Sequence, residues 1–277
     1  VDLGVVAATV QTNEYRMTIK FVTAEDCFDF VNSLQDGSVD LFLTDPPYMG
    51  ILEDSWDNQW KTVKEYVDWM YRLLEAVKPK MKENGSIIFF GGIGKHGERP
   101  FFSLLHKIED NNLYHYRNLI TWAKRRAYGK NHDYLFCREE IAWYSMSPER
   151  TKVTFNIPLT NIKRGYEGFN SKYPAKSEYK RVSNVWTDIP ELMRPERNAQ
   201  KPVELLERLI NTHSNPGDLV VDCFVGWGTT GVAALKLGRR FLGSERNQTD
   251  AEKANERCVA ASIAVSTPSI KKKGSSS

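Results

Sequence analysis

Val39-Asp40-Leu41-Phe42-Leu43-Thr44-Asp45-Pro46-Pro47-Tyr48 is a short apolar run that ends abruptly at two prolines. The run Leu41 to Leu43 suits a strand buried on both faces of a parallel sheet. Pro46 and Pro47 lack an N–H and fix φ, so the chain leaves the sheet there as a stiff extended turn. That turn sets a carboxylate, two rigid backbone carbonyls and an aromatic ring at the carboxyl end of a strand, where open α/β sheets hold their ligands.

Such a cluster suits methylation of an exocyclic amine on a nucleobase. The lone pair of that amine is delocalised into the ring, which makes it a poor nucleophile. A carboxylate and a backbone carbonyl that accept its two hydrogens would localise the pair and aim it. A tyrosine would stack on a base swung out of its helix. The same residues would also serve as a plain Pro-rich loop capping a strand, so Asp45, Pro46, Pro47 and Tyr48 need support from elsewhere in the chain.

The length of 277 residues allows one large α/β domain with an inserted or attached subdomain. No apolar run approaches membrane-spanning length, and residues 1–10 have neither the cationic start nor the cleavage pattern of a signal peptide. Cys27, Cys137, Cys223 and Cys258 are scattered without metal-type spacing, as expected of reduced thiols in a cytoplasmic protein without bound metal. Charge is uneven: the net charge is +3, yet residues 121–181 hold thirteen Lys and Arg against six Asp and Glu. A basic middle between acidic flanks is the footprint of a polyanion-binding insert.

Thr18 to Val22 reads as a first strand, and Cys27, Phe30, Val31 and Leu34 share a helical face that ends at Asp36-Gly37. The loop after the organising strand holds Trp56 and Trp60, as a lid over a bound base or as packing that ties the loop down. Val63, Tyr66, Val67, Met70, Leu74, Val77 and Met81 keep helical spacing, with a break at Pro79. Asn84-Gly85 reads as a turn before a buried strand, Ser86 to Phe90. Gly91, Gly92 and Gly94 lack the Lys-Ser/Thr of a P-loop. Phe101, Leu104, Leu105 and Ile108 predict a short helix, and Asn118 to Trp122 and Glu140 to Tyr144 two more strands; this alternation is the α/β signature.

Between those last two strands lie Lys124, Arg125, Arg126, Tyr128, Lys130 and His132, a set that suits a phosphate backbone and an unstacked base. A solvated basic loop would look the same. Residues 147–198 are aperiodic and basic, with Phe155, Tyr166, Phe169, Tyr173, Tyr179 and Trp186 interleaved. Linkers seldom carry so many aromatics. With Lys163 and Arg164 included, this is where readout of DNA is expected.

Further on, Gln200-Lys201-Pro202 opens a helix with Val203, Leu206, Leu209 and Ile210 on one face, and Asn215-Pro216-Gly217-Asp218 is a turn. Leu219 to Asp222 reads as a strand, followed by Cys223-Phe224-Val225-Gly226-Trp227-Gly228-Thr229-Thr230-Gly231, a helix from Val232 to Leu237, and a strand from Arg240 to Gly243. A strand, a glycine turn and a helix, with Glu245 some 20 residues on, is a layout that holds an adenosine moiety. Asp222 and Phe224 argue against a pyrophosphate, which prefers an uncluttered helix N-terminus. An adenosine joined to an amino acid fits better, and points to S-adenosylmethionine.

With these motifs in order, the chain resembles the β group of amino-methylating DNA methyltransferases, in which the catalytic tetrapeptide precedes the cofactor loop. Asp45-Pro46-Pro47-Tyr48 matches the catalytic motif, Asp222 to Thr230 the cofactor motif, Gln200-Lys201-Pro202 the segment leading into it, Asp26-Cys27 the adenine-contacting acid and Glu245 the ribose-binding acid. The resemblance covers roughly residues 18–257. It implies a Rossmann-like α/β methyltransferase fold, mostly parallel and circularly permuted in motif order. It also implies S-adenosyl-L-methionine held by Asp26, Cys27, Thr44, Lys201, Asp222, Phe224, Gly226, Gly228, Thr229, Thr230, Glu245, Arg246 and Asn247.

The expected organisation is an N-terminal extension (1–17), a catalytic half (18–123), a basic target-recognition insert with some core strands (124–197), a cofactor-binding half (198–262) and a disordered tail (263–277). DNA contacts are expected from Lys124, Arg125, Arg126, Tyr128, Lys130, Lys163 and Arg164. In the family an Asp at the first motif position is common with adenine N6 and a Ser with cytosine N4, so Asp45 favours adenine in double-stranded DNA. Cytosine-N4 and RNA-adenine methylation share every motif quoted, and a non-catalytic DNA-binding regulator is a further alternative. Trp227 stands where the family often has a small residue, and it would pack either on the cofactor or on a neighbouring helix. A homodimer and a separate restriction enzyme as partner follow from the resemblance alone.

Overall fold

The computed structural model describes residues 20–49, 59–92, 99–129, 131–132, 134–163, 177–194 and 200–266. The first half contains β1 (Val22–Thr23), α1 (Cys27–Ser33), β2 (Val39–Thr44), α2 (Val63–Val77), β3 (Met81–Gly91), α3 (Pro100–Asp110), β4 (His115–Tyr128) and β5 (Phe136–Ser145). There follow β6 (Leu159–Lys163), β7 (Tyr179–Arg181), β8 (Val185–Trp186), α4 (Val203–His213), β9 (Leu219–Asp222), α5 (Thr229–Lys236), β10 (Arg240–Ser244) and α6 (Gln248–Ser266).

Eight of these strands form one sheet in the order β1-β10-β9-β2-β3-β5-β4-β8, and β6 pairs with β7 apart from it. Neighbours are parallel from β1 through β3 and again between β4 and β8, while β5 runs antiparallel to both β3 and β4. The run Leu41-Phe42-Leu43 shows why the strand is apolar at every position. Leu41 and Leu43 face a core built with α4, α5 and α6, and Phe42 faces a second core built with α1, α2 and α3.

The sheet joins segments that are distant in sequence. β2 lies beside β9, and the buried Asp40 ties the far ends of this pair together, accepting from Leu219 N at 2.8 Å and pairing with Lys82 Nζ at 2.7 Å. β10 and β1 extend the sheet beyond β9, and β3 extends it beyond β2. The direction of winding therefore reverses between β2 and β9, and the carboxyl ends of those two strands flank the crevice.

Local chemistry explains the elements and several departures from expectation. Asp26 caps α1 by accepting from Phe28 N at 2.9 Å, and Thr62 caps α2 by accepting from Glu65 N at 3.1 Å. Helical spacing puts Met81 on the α2 face, but α2 ends at Val77, Pro79 sits in a 3₁₀ turn, and Met81 begins β3. Asn84-Gly85 is not a turn. β3 runs through it as a bulge, Val39 pairing with Met81 and Leu41 with Ser86, and both carbonyls accept from outside the strand, from Thr154 N and Met146 N.

β4 and β5 are longer than predicted, so Lys124, Arg125, Arg126 and Tyr128 stand on a strand rather than in a loop. Helix α6 has no counterpart in the predictions, although Ala251, Ala254, Cys258 and Ala261 are buried at helical spacing. It carries residues 263–266, which were expected to belong to the tail, as ordered helix. The expected extension over residues 1–17, the start of the first strand at Thr18, Trp56, Gly94, Lys130, Arg164, Tyr166, Phe169 and Tyr173 lie outside the described residues, as do residues 267–277.

None of the described helices is long and apolar enough to cross a membrane. Within residues 124–197, Trp186 and Ile189 join the core, and Trp122 donates its indole N–H to Ile189 O at 2.7 Å. This segment is thus tied into the sheet as well as projecting from it.

Candidate active site

The carboxyl ends of β1, β2, β9 and β10 open into one cavity of about 650 Å³, large enough for a nucleoside-sized ligand with a second group beside it. Asp26 and Cys27 line it after β1, Thr44 to Tyr48 after β2, Asp222 to Trp227 with Thr229 and Thr230 after β9, and Glu245 to Asn247 after β10. Phe90 at the end of β3 and Gln200 and Lys201 before α4 close the remaining side. Gly228 is the one position of the predicted cofactor set that does not line this cavity.

At the Pro-Pro turn both oxygens of Asp45 are engaged. Tyr48 donates its hydroxyl to Oδ1 at 2.6 Å, and the Lys201 ammonium donates to Oδ2 at 2.5 Å. Lys201 is buried and lies 5.0 Å from the centre of the Phe90 ring and 5.3 Å from that of Tyr48. Its ammonium also lies 3.2 Å from Glu139 Oε2, whose other oxygen pairs with Lys124. Lys201, read from sequence as a cofactor residue, therefore faces the catalytic turn.

Burial pushes Asp45 above the ordinary carboxylate range, with Glu139 adding to this and Lys201 opposing it. Burial alone would raise Glu139 too, but Lys201 and Lys124 beside it hold its carboxyl below the ordinary value. Burial would lower Lys201, and the two carboxylates overcome that and raise it. Burial, then the neighbouring Asp45 charge, pushes the Tyr48 phenol well above its ordinary range, so the ring stays a neutral hydroxyl donor.

The glycine loop is fixed from within by Asp222. Thr44 and Thr230 donate their hydroxyls to its two oxygens, each at 2.7 Å, and Phe224 N donates at 2.9 Å. Burial still pushes its carboxyl up to about 6, those hydrogen bonds pulling the other way. Asp222 thus shapes the loop and ties it to β2. Gly226 N and Asn247 N donate to the two oxygens of Glu245, each at 3.0 Å, which sets that carboxylate at the cavity edge.

Gly228 precedes α5 at φ +83°, and a Cβ there would come within 3.0 Å of Ala254 O, so both backbone conformation and space call for glycine. The donor set fits an adenosine carrying a cationic amino acid. Glu245 and Asp26 supply carboxylate acceptors, Thr229 and Thr230 sit in the first turn of a helix, and the aromatic Phe224 and Trp69 lie 5.7 Å apart on one wall.

Trp227 packs on a helix. Its indole N–H donates to Asp250 at 2.6 Å, Lys253 sits 3.1 Å from its ring centre, and Arg257 donates to its carbonyl at 2.6 Å, all from α6. Trp60 packs against Tyr66 and Trp69 at 4.9 and 4.8 Å, as a residue that ties the loop down does. Arg246 is exposed at the rim, and Asn247 caps α6 by accepting from Asp250 N at 3.0 Å.

Of the residues predicted to meet DNA, Arg125, Arg126, Tyr128 and Lys163 are exposed. Lys124 departs from expectation: its ammonium is paired inside the site with Glu139 and is 5.2 Å from the Trp122 ring centre. The strand explains this, because alternation turns Lys124 inward and Arg125 outward. Glu139 is a site residue that the sequence reading missed. It sits next to Glu140, which faces away to bind Thr121 and Arg138, and nothing in the local pattern marks which of the two acids meets Lys201.

Residues 39–256 match the family described as DNA methylase, which spans both the catalytic turn and the glycine loop. The chain belongs to the N6/N4 DNA methylase family. Among curated relatives of this DNA methylase, the type II methyltransferase M1.MboII of Moraxella bovis is 29% identical over 83% of this chain and 93% of its own. The DNA adenine methyltransferase YhdJ of Escherichia coli K12 is 30% identical over 76% of this chain and 72% of its own. Among solved structures, the cytosine-N4-specific PvuII DNA methyltransferase superimposes with a TM-score of 0.66 at 18% identity, covering 88% of this chain and 91% of its own. The Thermus thermophilus protein TTHA0409, in complex with S-adenosyl-L-methionine, gives 0.58 at 25% identity, covering 85% of this chain and 91% of its own. The methylase is thus an N6-adenine or N4-cytosine DNA methyltransferase with the Rossmann-like fold of that family.

Proposed function

We propose that this methylase transfers a methyl group to the N6 amino group of adenine in double-stranded DNA, after the base has turned out into the cavity. The observation that carries this reading is the meeting of the Asp45-Pro46-Pro47-Tyr48 turn and the Asp222–Thr230 loop across adjacent strands, in one cavity of about 650 Å³. The methyl donor is S-adenosyl-L-methionine, which supplies an electrophilic methyl on a sulfonium.

Glu245, Asp26 and the backbone of Gly226 to Thr230 would bind the adenosine and amino acid portions. Asp45 and the Pro46 carbonyl would accept the two amino hydrogens of the target, which localises the nitrogen lone pair and aims it along the line of displacement. Tyr48 would stack on the extruded base, a contact worth about 1–3 kcal/mol. As the N–C bond forms and the C–S bond breaks, the nitrogen becomes cationic and sheds one proton. The raised affinity of Asp45 for protons makes it a suitable first acceptor, with water beyond it.

Adenine is supported by the acid at position 45, where the cytosine-N4 members of the family commonly have serine, and by the likeness to an adenine methyltransferase. Residues 124–197 would serve as target-recognition insert between a catalytic half (18–123) and a cofactor half (198–262). β4 runs parallel to β3, so Arg125, Arg126 and Tyr128 emerge at the sheet edge that holds the cavity. There they would grip the phosphates that flank the turned-out base. The enzyme would act in the cytoplasm, on the nucleoid. A separate restriction enzyme and a second copy of the chain are its proposed partners, and a scattering mass of about 32 kDa at working concentration would remove the dimer.

The reading is tested by incubating the protein with unmethylated genomic DNA and labelled S-adenosyl-L-methionine. Label should enter DNA with the wild-type chain and fall at least 100-fold with Asp45→Ala, while the affinity for S-adenosyl-L-methionine stays within a few-fold. Label in RNA alone, or none at all, would overturn it.

A further inference from the structure

Both oxygens of Asp45 are already taken, since Tyr48 holds Oδ1 and Lys201 holds Oδ2. The target amine has either to share one of those oxygens or to displace its donor, and displacement avoids crowding two donors against one oxygen of a buried carboxylate. Tyr48 follows the rigid Pro-Pro segment three residues from Asp45. Lys201 is the mobile partner, because its ammonium ends a long unbranched stem.

A second seat for that ammonium is already built. Glu139 Oε2 is buried, 3.2 Å from Lys201 Nζ, and makes no well-aligned hydrogen bond. A small shift toward Glu139 would free Asp45 Oδ2 without sending a charge into solvent or leaving either carboxylate without a cation nearby. The proximity of Lys124 to Glu139 Oε1 limits how strongly Glu139 draws Lys201.

We infer that Lys201 is a placeholder for the target amine on Asp45 and that Glu139 is the positioning residue that receives Lys201 when the base enters. This rests on the methyltransferase reading above. Before the base arrives the ammonium holds the buried carboxylate in place; on base entry it moves to Glu139, and Asp45 accepts the amine. Two strands remote in sequence and the segment before α4 thereby form one exchange site.

The test is Glu139→Gln, which keeps shape and removes the negative charge, measured in the full-length enzyme under single-turnover conditions with pre-bound duplex. Lys201 should then stay on Asp45. The methyl-transfer rate should fall at least tenfold, while duplex Kd and S-adenosyl-L-methionine Kd remain within about twofold. In a Lys201→Met background the same change should alter the rate less than twofold, because Glu139 acts through Lys201. Lys124→Met should have the opposite sign to Glu139→Gln, raising the rate, since an unshared Glu139 draws Lys201 harder.

That last variant changes a partly exposed residue, so it reports even where Glu139→Gln fails to fold. A wild-type rate in Glu139→Gln, a tenfold loss in Lys124→Met, or additive losses in the double variant would overturn the placeholder role. Wild-type enzyme that methylates no DNA would instead remove the reading on which it rests, so the two failures are distinguishable.

Discussion

Thr44→Val removes one hydroxyl from beneath the glycine loop and leaves the strand volume nearly unchanged. In the wild type that hydroxyl donates to the buried Asp222 at 2.7 Å, across a pair of strands 178 residues apart in sequence. A hydrogen bond to a charged group contributes about 1.5–3 kcal/mol and one to a neutral group about 0.5–1.5 kcal/mol, and the difference of about 1–1.5 kcal/mol corresponds to about one pKa unit. The Asp222 carboxyl, at about 6 in the folded chain, should therefore move to about 7 in the variant.

The sign follows from linkage. The folded value is raised above the unfolded 3.8, so the contribution of this group to stability is fully present below about 3.8 and is lost as pH rises through about 6. In Thr44→Val that loss continues to higher pH. The variant should be less stable than wild type by about 1.5–3 kcal/mol at pH 8.5. At pH 5 Asp222 is protonated in both folded proteins, only a neutral hydrogen bond is missing, and the loss should shrink to about 0.5–1.5 kcal/mol. Urea denaturation at the two pH values measures both. An equal loss at pH 5 and pH 8.5 would refute the assignment of Asp222 as the charged anchor of the loop.

His213 is buried between Trp143 and Phe155, and burial lowers its imidazole to about 3. Its contribution is present above the unfolded 6.5 and is lost as pH falls toward about 3, so His213→Phe should soften acid unfolding by about 1.4 kcal/mol per pH unit in urea midpoints taken between pH 6.5 and 4.5. Gly228→Ala must hold a side chain at φ +83° and within 3.0 Å of Ala254 O; it should cost at least about 1–2 kcal/mol in thermal unfolding and weaken S-adenosyl-L-methionine binding in calorimetry. Arg126→Ala should weaken duplex binding alike for target and non-target sequences and reduce the salt slope by about 0.9 in anisotropy titrations, an unchanged slope removing Arg126 from the phosphate contacts.

The parts of the fold legible in the sequence were those governed by short-range chemistry. Leu219–Asp222 and the apolar run of β2 are strands buried on both faces, and Asp45-Pro46-Pro47 stops its strand because proline cannot continue the ladder. Where two local signals conflicted, tertiary pairing decided. Asn84-Gly85 looks like a turn, yet β2 and the segment after β5 supply partners for both sides of it, and it becomes a bulge. Helix α6 escaped notice because its buried face is made largely of alanines, whose apolar stripe is faint beside the charged residues around it.

The site divides in the same way. Each motif marked its own strand end, but the pairing of Lys201 with Asp45 spans 156 residues and that of Lys201 with Glu139 depends on how β5 is registered against β3 and β4. Periodicity carries no record of such contacts. Strand alternation did hold the information that Lys124 and Arg125 face opposite ways, once the segment is known to be strand.

The most direct test of the central claim is the mass of the modified nucleoside released from DNA methylated by this enzyme with labelled S-adenosyl-L-methionine. N6-methyladenine is the predicted product, in agreement with Asp45 as the acceptor of the adenine amino group. N4-methylcytosine would contradict the adenine assignment while leaving the methyl-transfer site intact.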